Sequence, residues 1–431
     1  MSASTRVARE RRRLQLNPVE LIEKDHSGDQ SSGETELVFD PHPLGAKTCG
    51  RSTQVGIVLV WCGALTVIAG AGCNTDARRP AASNDVRPTP VREATSIEAR
   101  LTPAARSRDA AAVAAPTVTA FALPGATAPA SLDYIAYDRA RARVWVPVGD
   151  TGSVDAFDIE KRTFSRIDGF DKAQVEVRGK VRMLGPSAVS VGDSVVYVGD
   201  RATNKVCSVV PEAARLVSCL ELPTHTDGVL YLPGVKEVWV TTPRDHSVTV
   251  LDASTPPTLR PKLVVKAPGE TEGYALDAQQ GLFYTNLEDE NLTIAIDIRT
   301  HAIRSTWSAG CPPDGPRGIA LDVVRRLAFV ACTARVRVLD LSQGGKLAAV
   351  LDTGAGVDNI DYDGASRLLY VAAGKAARLT VAKIGDDCHA ETVATIPTVD
   401  GARNVVVDQN GNAYVADPKG ARLLVVSAVP R

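Results

Sequence analysis

The sequence has no excess of charge of either sign: 49 Lys and Arg stand against 50 Asp and Glu in 431 residues. A protein that wraps nucleic acid by neutralising phosphates carries a basic surplus. Aromatic residues make up only 5%, so stacking platforms for bases are scarce as well. Nucleic acid is therefore not an expected partner. Six histidines are scattered with no H-E-x-x-H, and eight cysteines form no C-x-x-C, which leaves no recognisable metal-ligand spacing. There is no G-x-S-x-G, no P-loop and no EF-hand loop. No resident metal or cofactor is expected on these grounds. Long apolar runs are also missing, with one exception.

That exception is VGIVLVWCGALTVIAGAG at 55–72, eighteen residues without a charge. Lys47 and Arg51 precede it and Cys73 follows. A basic flank, an apolar core and small residues before a break mark a secretory signal. Gly70, Ala71 and Gly72 directly before Cys73 resemble a lipobox, a signal in which the cysteine is lipidated and becomes the first mature residue. Eighteen apolar residues also just span a bilayer, so an uncleaved anchor is the alternative. Either reading places the rest of the chain outside the cytoplasm, tied to a membrane by its N-terminus. Residues 1–54 do not fit a signal, which starts close to its apolar core. They read as over-called sequence or as a short disordered tail. Residues 74–116 are rich in Ala, Arg, Pro and Ser and poor in large apolar side chains. They read as a flexible tether with a reach on the order of 35 Å.

From Thr117 onward the chain repeats. EGYALD at Glu272 matches RGIALD at Arg317, and TIAIDI at Thr293 matches VRVLDL at Val336. Seven short apolar runs of this first kind recur, beginning with DYIAYD at Asp133 and ending with RNVVVD at Arg403. Their spacing is 40 to 45 residues after the second and 54 for the first, where 171–186 is inserted. Each unit continues with further short runs rich in β-branched and aromatic residues, bounded by turn residues. The last unit ends after its third run, and an extra run, TVTAFALPG, precedes the first. Pairing the two completes the last unit. The expected fold is all-β: a seven-bladed β-propeller of four-stranded blades over 117–431, closed by its N-terminal strand.

Units such as EVWVTTPRDHSVTVLD and LLYVAAGKAARLTVAKI resemble the YVTN-repeat (YncE-like) bacterial β-propellers, over 117–427. The resemblance implies an extracytoplasmic protein with a binding or scaffold role. Related propellers include lactonases and a lyase acting on a cyclic lactone antibiotic, so an enzyme of that type is the alternative. A monomer is expected.

Several residues that look chemical have a plainer use. Asp138, Asp277, Asp322, Asp363 and Asp408 end first strands, and Asp158, Asp252, Asp297 and Asp340 end third strands. Each precedes a tight turn, where a carboxylate accepts backbone N–H groups. Cys207 and Cys219 flank one hairpin turn, and Cys311 and Cys332 occupy neighbouring ends of one blade. Both pairs are expected to form disulfides in an exported protein.

In a propeller, starts of first strands and ends of second strands meet around the axis. The starts contribute His225, Asp227, Glu272, Arg317, Asp358 and Arg403. The ends contribute Arg201, Arg244, Asn286, Glu288 and Lys375. Such a mouth can hold a small polar ligand or a protein partner. Of these, Asp227, Glu272, Arg317, Asp358, Arg403, Asn286 and Arg244 are the ligand-binding candidates. Under the enzymatic alternative, His225, Asp227 and Glu272 are the acid–base candidates, with a divalent cation as an optional cofactor. The competing use is structural, with acids and bases of neighbouring blades pairing to pin the ring. Arg317 between Glu272 and Asp358 is the arrangement expected for such a bridge. The insertion at 171–186, with Lys172, Arg178, Lys180 and Arg182, is expected as a protruding hairpin, either docking a partner or solvated.

Overall fold

The computed structural model describes residues 115–177 and 179–429. The N-terminal extension, the apolar segment with Cys73 and all but the last two residues of the expected tether lie outside them.

Seven four-stranded antiparallel sheets and one two-stranded hairpin contain the named strands among the described residues. Blade 4 shows the pattern: Thr271–Asp277, Leu282–Leu287, Leu292–Asp297 and Ile303–Ser308, paired in chain order. Its two middle strands are buried along nearly their whole length, while the outermost strand alternates between exposed and half-buried. A strand covered by a blade on each side needs apolar residues on both faces, and these have them. The core is accordingly a set of seams between blades. Trp239 of blade 3 packs on Phe283 of blade 4 with ring centroids 4.8 Å apart, and Phe329 of blade 5 on Tyr362 of blade 6 at 4.7 Å.

Blade 7 is built from both ends of the propeller. Arg403–Val407, Ala413–Asp417 and Arg422–Val426 supply three strands, and Val118–Ala122 pairs antiparallel with Arg422–Val426 as the fourth. The sequence-derived closure is the one the structure has. It covers an edge that would otherwise present unpaired N–H and C=O groups.

All nine turn aspartates accept backbone N–H groups from residues two or three positions on, as Asp277 does from Gln279 and Gln280 and Asp297 from Arg299 and Thr300. Some reach further. Asp138 also accepts from the Trp145 indole at 3.3 Å, and Asp322 from the Tyr362 hydroxyl of the next blade at 2.6 Å.

Cys207 and Cys219 face each other in antiparallel register and are bonded, and Cys311 is bonded to Cys332. These two bonds fit an oxidising, extracytoplasmic compartment. Among the described residues, no helix is long and apolar enough to cross a membrane. The insertion forms the hairpin Ala173–Val177 with Lys180–Leu184.

The Cys311–Cys332 bond closes a loop of sequence separation 21. Replacing both cysteines by alanine should cost about 3 kcal/mol through the freed unfolded chain. Urea unfolding of the double variant against the wild type, both kept oxidised so that Cys207–Cys219 stays intact in each, checks this.

Candidate functional site at the axial mouth

Seven inner strands converge on one axis, and the backbone answers with bulges. In five blades the ladder between inner and second strand is interrupted near the start of the inner strand, as between Thr271 and Tyr274, Pro316 and Ile319, and Val357 and Ile360. A bulge releases residues from the ladder and re-aims their side chains. The released residues include Glu272, Arg317 and Asp358, and all three line a cavity of about 380 Å³ at the axis. Gly273 and Gly318 follow two of them because adjacent inner strands touch backbone to backbone. A Cβ on Gly273 would collide with the Arg317 carbonyl, and one on Gly318 with Asp358 and Asn359.

His225, Asp227, Arg244 and Arg403 line the same cavity. Of the seven ligand candidates, only Asn286 stays out of it. Asn286 is fully buried, its amide donates to the carbonyls of Arg317 at 2.6 Å and Gly318 at 3.2 Å, and its oxygen accepts from Thr293 at 2.7 Å. It braces the strand that carries Arg317. Arg317 also differs from expectation. It pairs with Glu288 at 2.7 Å, while Arg403 takes Asp358 at 3.1 Å. The bulge turns Arg317 toward the end of the blade 4 second strand instead of across the axis. A neighbouring cavity of about 570 Å³ shares Arg317, Asp358 and Arg403 with the mouth.

The centre of the mouth is Arg201. Its guanidinium bonds Asp133 at 2.7 Å and also pairs with Asp227. Burial opposes the charge on Arg201, but Asp227 and Asp133 more than offset it and raise its pKa. Burial pushes Asp227 up to about 6 despite that partner. Glu272 has no cation against it among the described residues. Burial, then the charges of Asp227, Asp358 and Asp133, hold its carboxyl well above the ordinary range. It accepts from the Tyr134 hydroxyl at 3.4 Å. His225 moves the other way: burial, then Arg201 and Arg244, bring it down to about 4. The mouth thus sets a carboxyl whose charged form is disfavoured beside an imidazole that is uncharged at neutral pH.

Below the charged layer the channel changes character. Tyr134 and Tyr274 stack with ring centroids 5.3 Å apart, and Tyr274 lies where a Cβ on Gly228 would collide with it. Beyond them a cavity of about 460 Å³ is lined by tyrosines and apolar residues of the inner strands, together with Ser190, Asn359, Asp361 and Asn404.

Asp133, Tyr134 and Tyr274 were not singled out as site residues from sequence, and Arg182 was placed only on the inserted hairpin, not at the mouth. Asp133 carried a usable signal, since it starts the first repeat as Asp227 starts the third. One group of metal-capable side chains occurs among the described residues: His246, Glu270 and Asp289, with ligand atoms within 4.8 Å of one another. All three are exposed, and Asp289 already accepts the Glu270 backbone N–H at 2.7 Å. They lack the convergent buried oxygens that hold a divalent cation.

The fold and mouth define the class: the chain is a seven-bladed β-propeller with a charged axial opening. No family model and no curated protein matches its sequence. Solved structures match its shape. A chain of the mitotic checkpoint complex aligns with TM-score 0.60 at 11% identity, covering 78% of this chain and 99% of that one. Hydrazine synthase of Kuenenia stuttgartiensis aligns with TM-score 0.59 at 14% identity, covering 71% and 99%. Virginiamycin B lyase from Staphylococcus aureus, in a catalytically inactive form with Quinupristin, aligns with TM-score 0.57 at 11% identity, covering 73% and 100%. Likeness at this identity shows the fold alone, and so varied a set assigns no activity.

Two measurements check the electrostatics. Arg201→Gln leaves Asp133 and Asp227 facing each other without their cation, which should cost about 3–5 kcal/mol at pH 8. The loss should shrink toward pH 5, where Asp227 takes up a proton. Glu272 gives the second. Its carboxyl titrates near 4.5 when unfolded and well above that when folded, so the folded state keeps a proton that the unfolded state releases. Stability from this group therefore falls as pH rises from about 4.5 to the folded value. Glu272→Gln removes the fall. Its stability relative to wild type should grow as pH rises above about 5, by up to about 1.4 kcal/mol per pH unit until the folded value is reached, read from urea midpoints.

Proposed function

We propose that this chain is an exported β-propeller, held at a membrane by its N-terminus, that binds a small polar molecule at the axial mouth. The observation that carries the reading is a set of unmet polar atoms. Asp227 Oδ2, Arg201 Nε and His225 Nδ1 are buried without a hydrogen-bond partner among the described residues, and all three residues line one cavity. Buried polar groups need partners, and a ligand can supply them. The disulfides, the lipobox-like Cys73 and the resemblance to YVTN-repeat propellers support the location and the binding role. The rigid ring suits recognition because the wall is set before the ligand arrives.

Thermal shift of the full chain in detergent, against panels of neutral sugars, carboxylates and amines, tests the reading. At least one class should raise the melting temperature, and Asp227→Asn should abolish the shift. A panel with no effect, or a shift unchanged in Asp227→Asn, would remove the mouth as the site.

A second reading rests on two groups of one cavity whose pKa values are pushed apart. Glu272, with its pKa raised, is placed to donate a proton, and His225, with its pKa brought down to about 4, to accept one, in the same cavity. That is the pair a ring-opening reaction on a cyclic ester needs. Mass spectrometry of a lactone panel incubated with the protein, with Glu272→Gln and His225→Ala as controls, separates this reading from binding alone. Substrates left intact by the wild type would end it.

A further inference from the structure

The hairpin Ala173–Val177 with Lys180–Leu184 has no counterpart in the other units. It stands between blades 1 and 2, and its second strand brings Arg182 and Leu184 to the wall of the axial cavity. Its root is fixed. Gly185 meets the Gly149 backbone so closely that a Cβ would collide, and the Arg201 N–H donates to the Gly185 carbonyl at 3.0 Å. The residue that orders the mouth and the strand that carries Arg182 are thus joined by a backbone bond.

The cavity wall carries five arginines against four carboxylates. Arg201, Arg317 and Arg403 are each tied to an acid. Arg182 and Arg244, both exposed at the rim, have no carboxylate partner among the described residues. Burial and the neighbouring acids disfavour the charged form of Glu272. The field near the rim is therefore positive, and His225 registers it, since Arg201 and Arg244 both oppose its protonation. Deeper in, Asp227 is 6% exposed and its Oδ2 accepts no hydrogen bond among the described residues. That oxygen calls for a donor. An ammonium arriving there would also meet Arg201, whereas a hydroxyl donates without bringing a like charge.

We propose that the axial mouth takes a small hydroxylated carboxylate, its anionic group met by Arg182 and Arg244 and one hydroxyl donating to Asp227 Oδ2. Guanidinium forks suit a carboxylate because they bond both of its oxygens. The proposal rests on the axial-mouth reading and gives that site its ligand class. It also gives the inserted hairpin a use: Arg182 is a specificity residue delivered from outside the repeat.

Isothermal titration of the full chain in detergent with gluconate, glucuronate, glucose and glucosamine tests it. The two acids should bind and the neutral and cationic sugars should not. Arg182→Ala and Arg244→Ala should each weaken gluconate about tenfold, equivalent to about 1.4 kcal/mol, and Arg182→Lys should recover part of the loss. Salt should weaken the wild type more than either variant. Arg182 lies on an exposed hairpin, so its variants keep the ring intact, with melting temperature as the check. Gluconate affinity unchanged in Arg182→Ala overturns the assignment. Glucose or glucosamine binding in place of the acids, with loss in Asp227→Asn, overturns the acid class and leaves the mouth as the site. Silence from all four compounds overturns both.

Discussion

Everything in this propeller follows from seven strands having to meet at one axis. Close to it there is room for little beyond backbone, and Gly273 and Gly318 mark where neighbouring inner strands touch. Further out the blades diverge and the space between them is filled by large side chains such as Trp145, Trp239, Tyr284 and Phe329, all almost wholly buried. A strand that must pass the narrow point cannot keep a regular ladder, and most inner strands bulge there. The bulge has a chemical consequence, because it turns the residue beside the glycine toward the axis. Charged side chains at those positions cannot avoid one another, so crowding of backbone becomes crowding of charge.

The charge is organised blade by blade. Arg201 of blade 2 holds Asp133 at the start of blade 1 and Asp227 at the start of blade 3. Arg317 joins blade 5 to Glu288 of blade 4, and Arg403 joins blade 7 to Asp358 of blade 6. The remaining seams close with neutral groups or mixed networks. Val229 N–H donates to the Tyr274 hydroxyl between blades 3 and 4, and Asn404 donates to Asp133 across the closure between blades 7 and 1. Between blades 5 and 6, Arg325 bonds Asp322 and the Tyr362 hydroxyl. Structural pairing at the mouth therefore does not exclude a binding role there. Pairing fixes most of the wall and leaves a few atoms over, and those left over are where a ligand has something to gain. Buried ion pairs are poor sources of stability but good sources of fixed geometry, which is what a preorganised wall requires.

Much of this was legible because it is local or periodic. The nine aspartates could be assigned to turns from the residues that follow them, and Cys207 with Cys219 from a single hairpin register. The closing strand was legible by counting, since one unit lacked a strand and another had one too many. Pairing around the axis was not legible. Position in the repeat places Arg317 at the mouth, but which acid it meets depends on how far its bulge rotates it, and that is set by contacts between blades. Asn286 shows the same limit. It sits at the end of a second strand like its neighbours, yet one residue's difference in facing sends its amide into the strand beside it. Tyr274 was hidden for another reason: its ring fills a space that exists only because residue 228 is glycine.

The inserted hairpin escapes the repeat altogether, which is why no comparison between units could place Arg182. That freedom is also its physical interest. A substitution on an inner strand must satisfy two neighbouring blades, a bulge and an ion pair at once. A substitution on the hairpin must satisfy only its root, where Gly185 lies on Gly149. A ring fold can therefore keep its wall constant and vary its rim. Specificity for one anion over another is most easily placed on the element whose change leaves Arg201, and with it three blades, undisturbed.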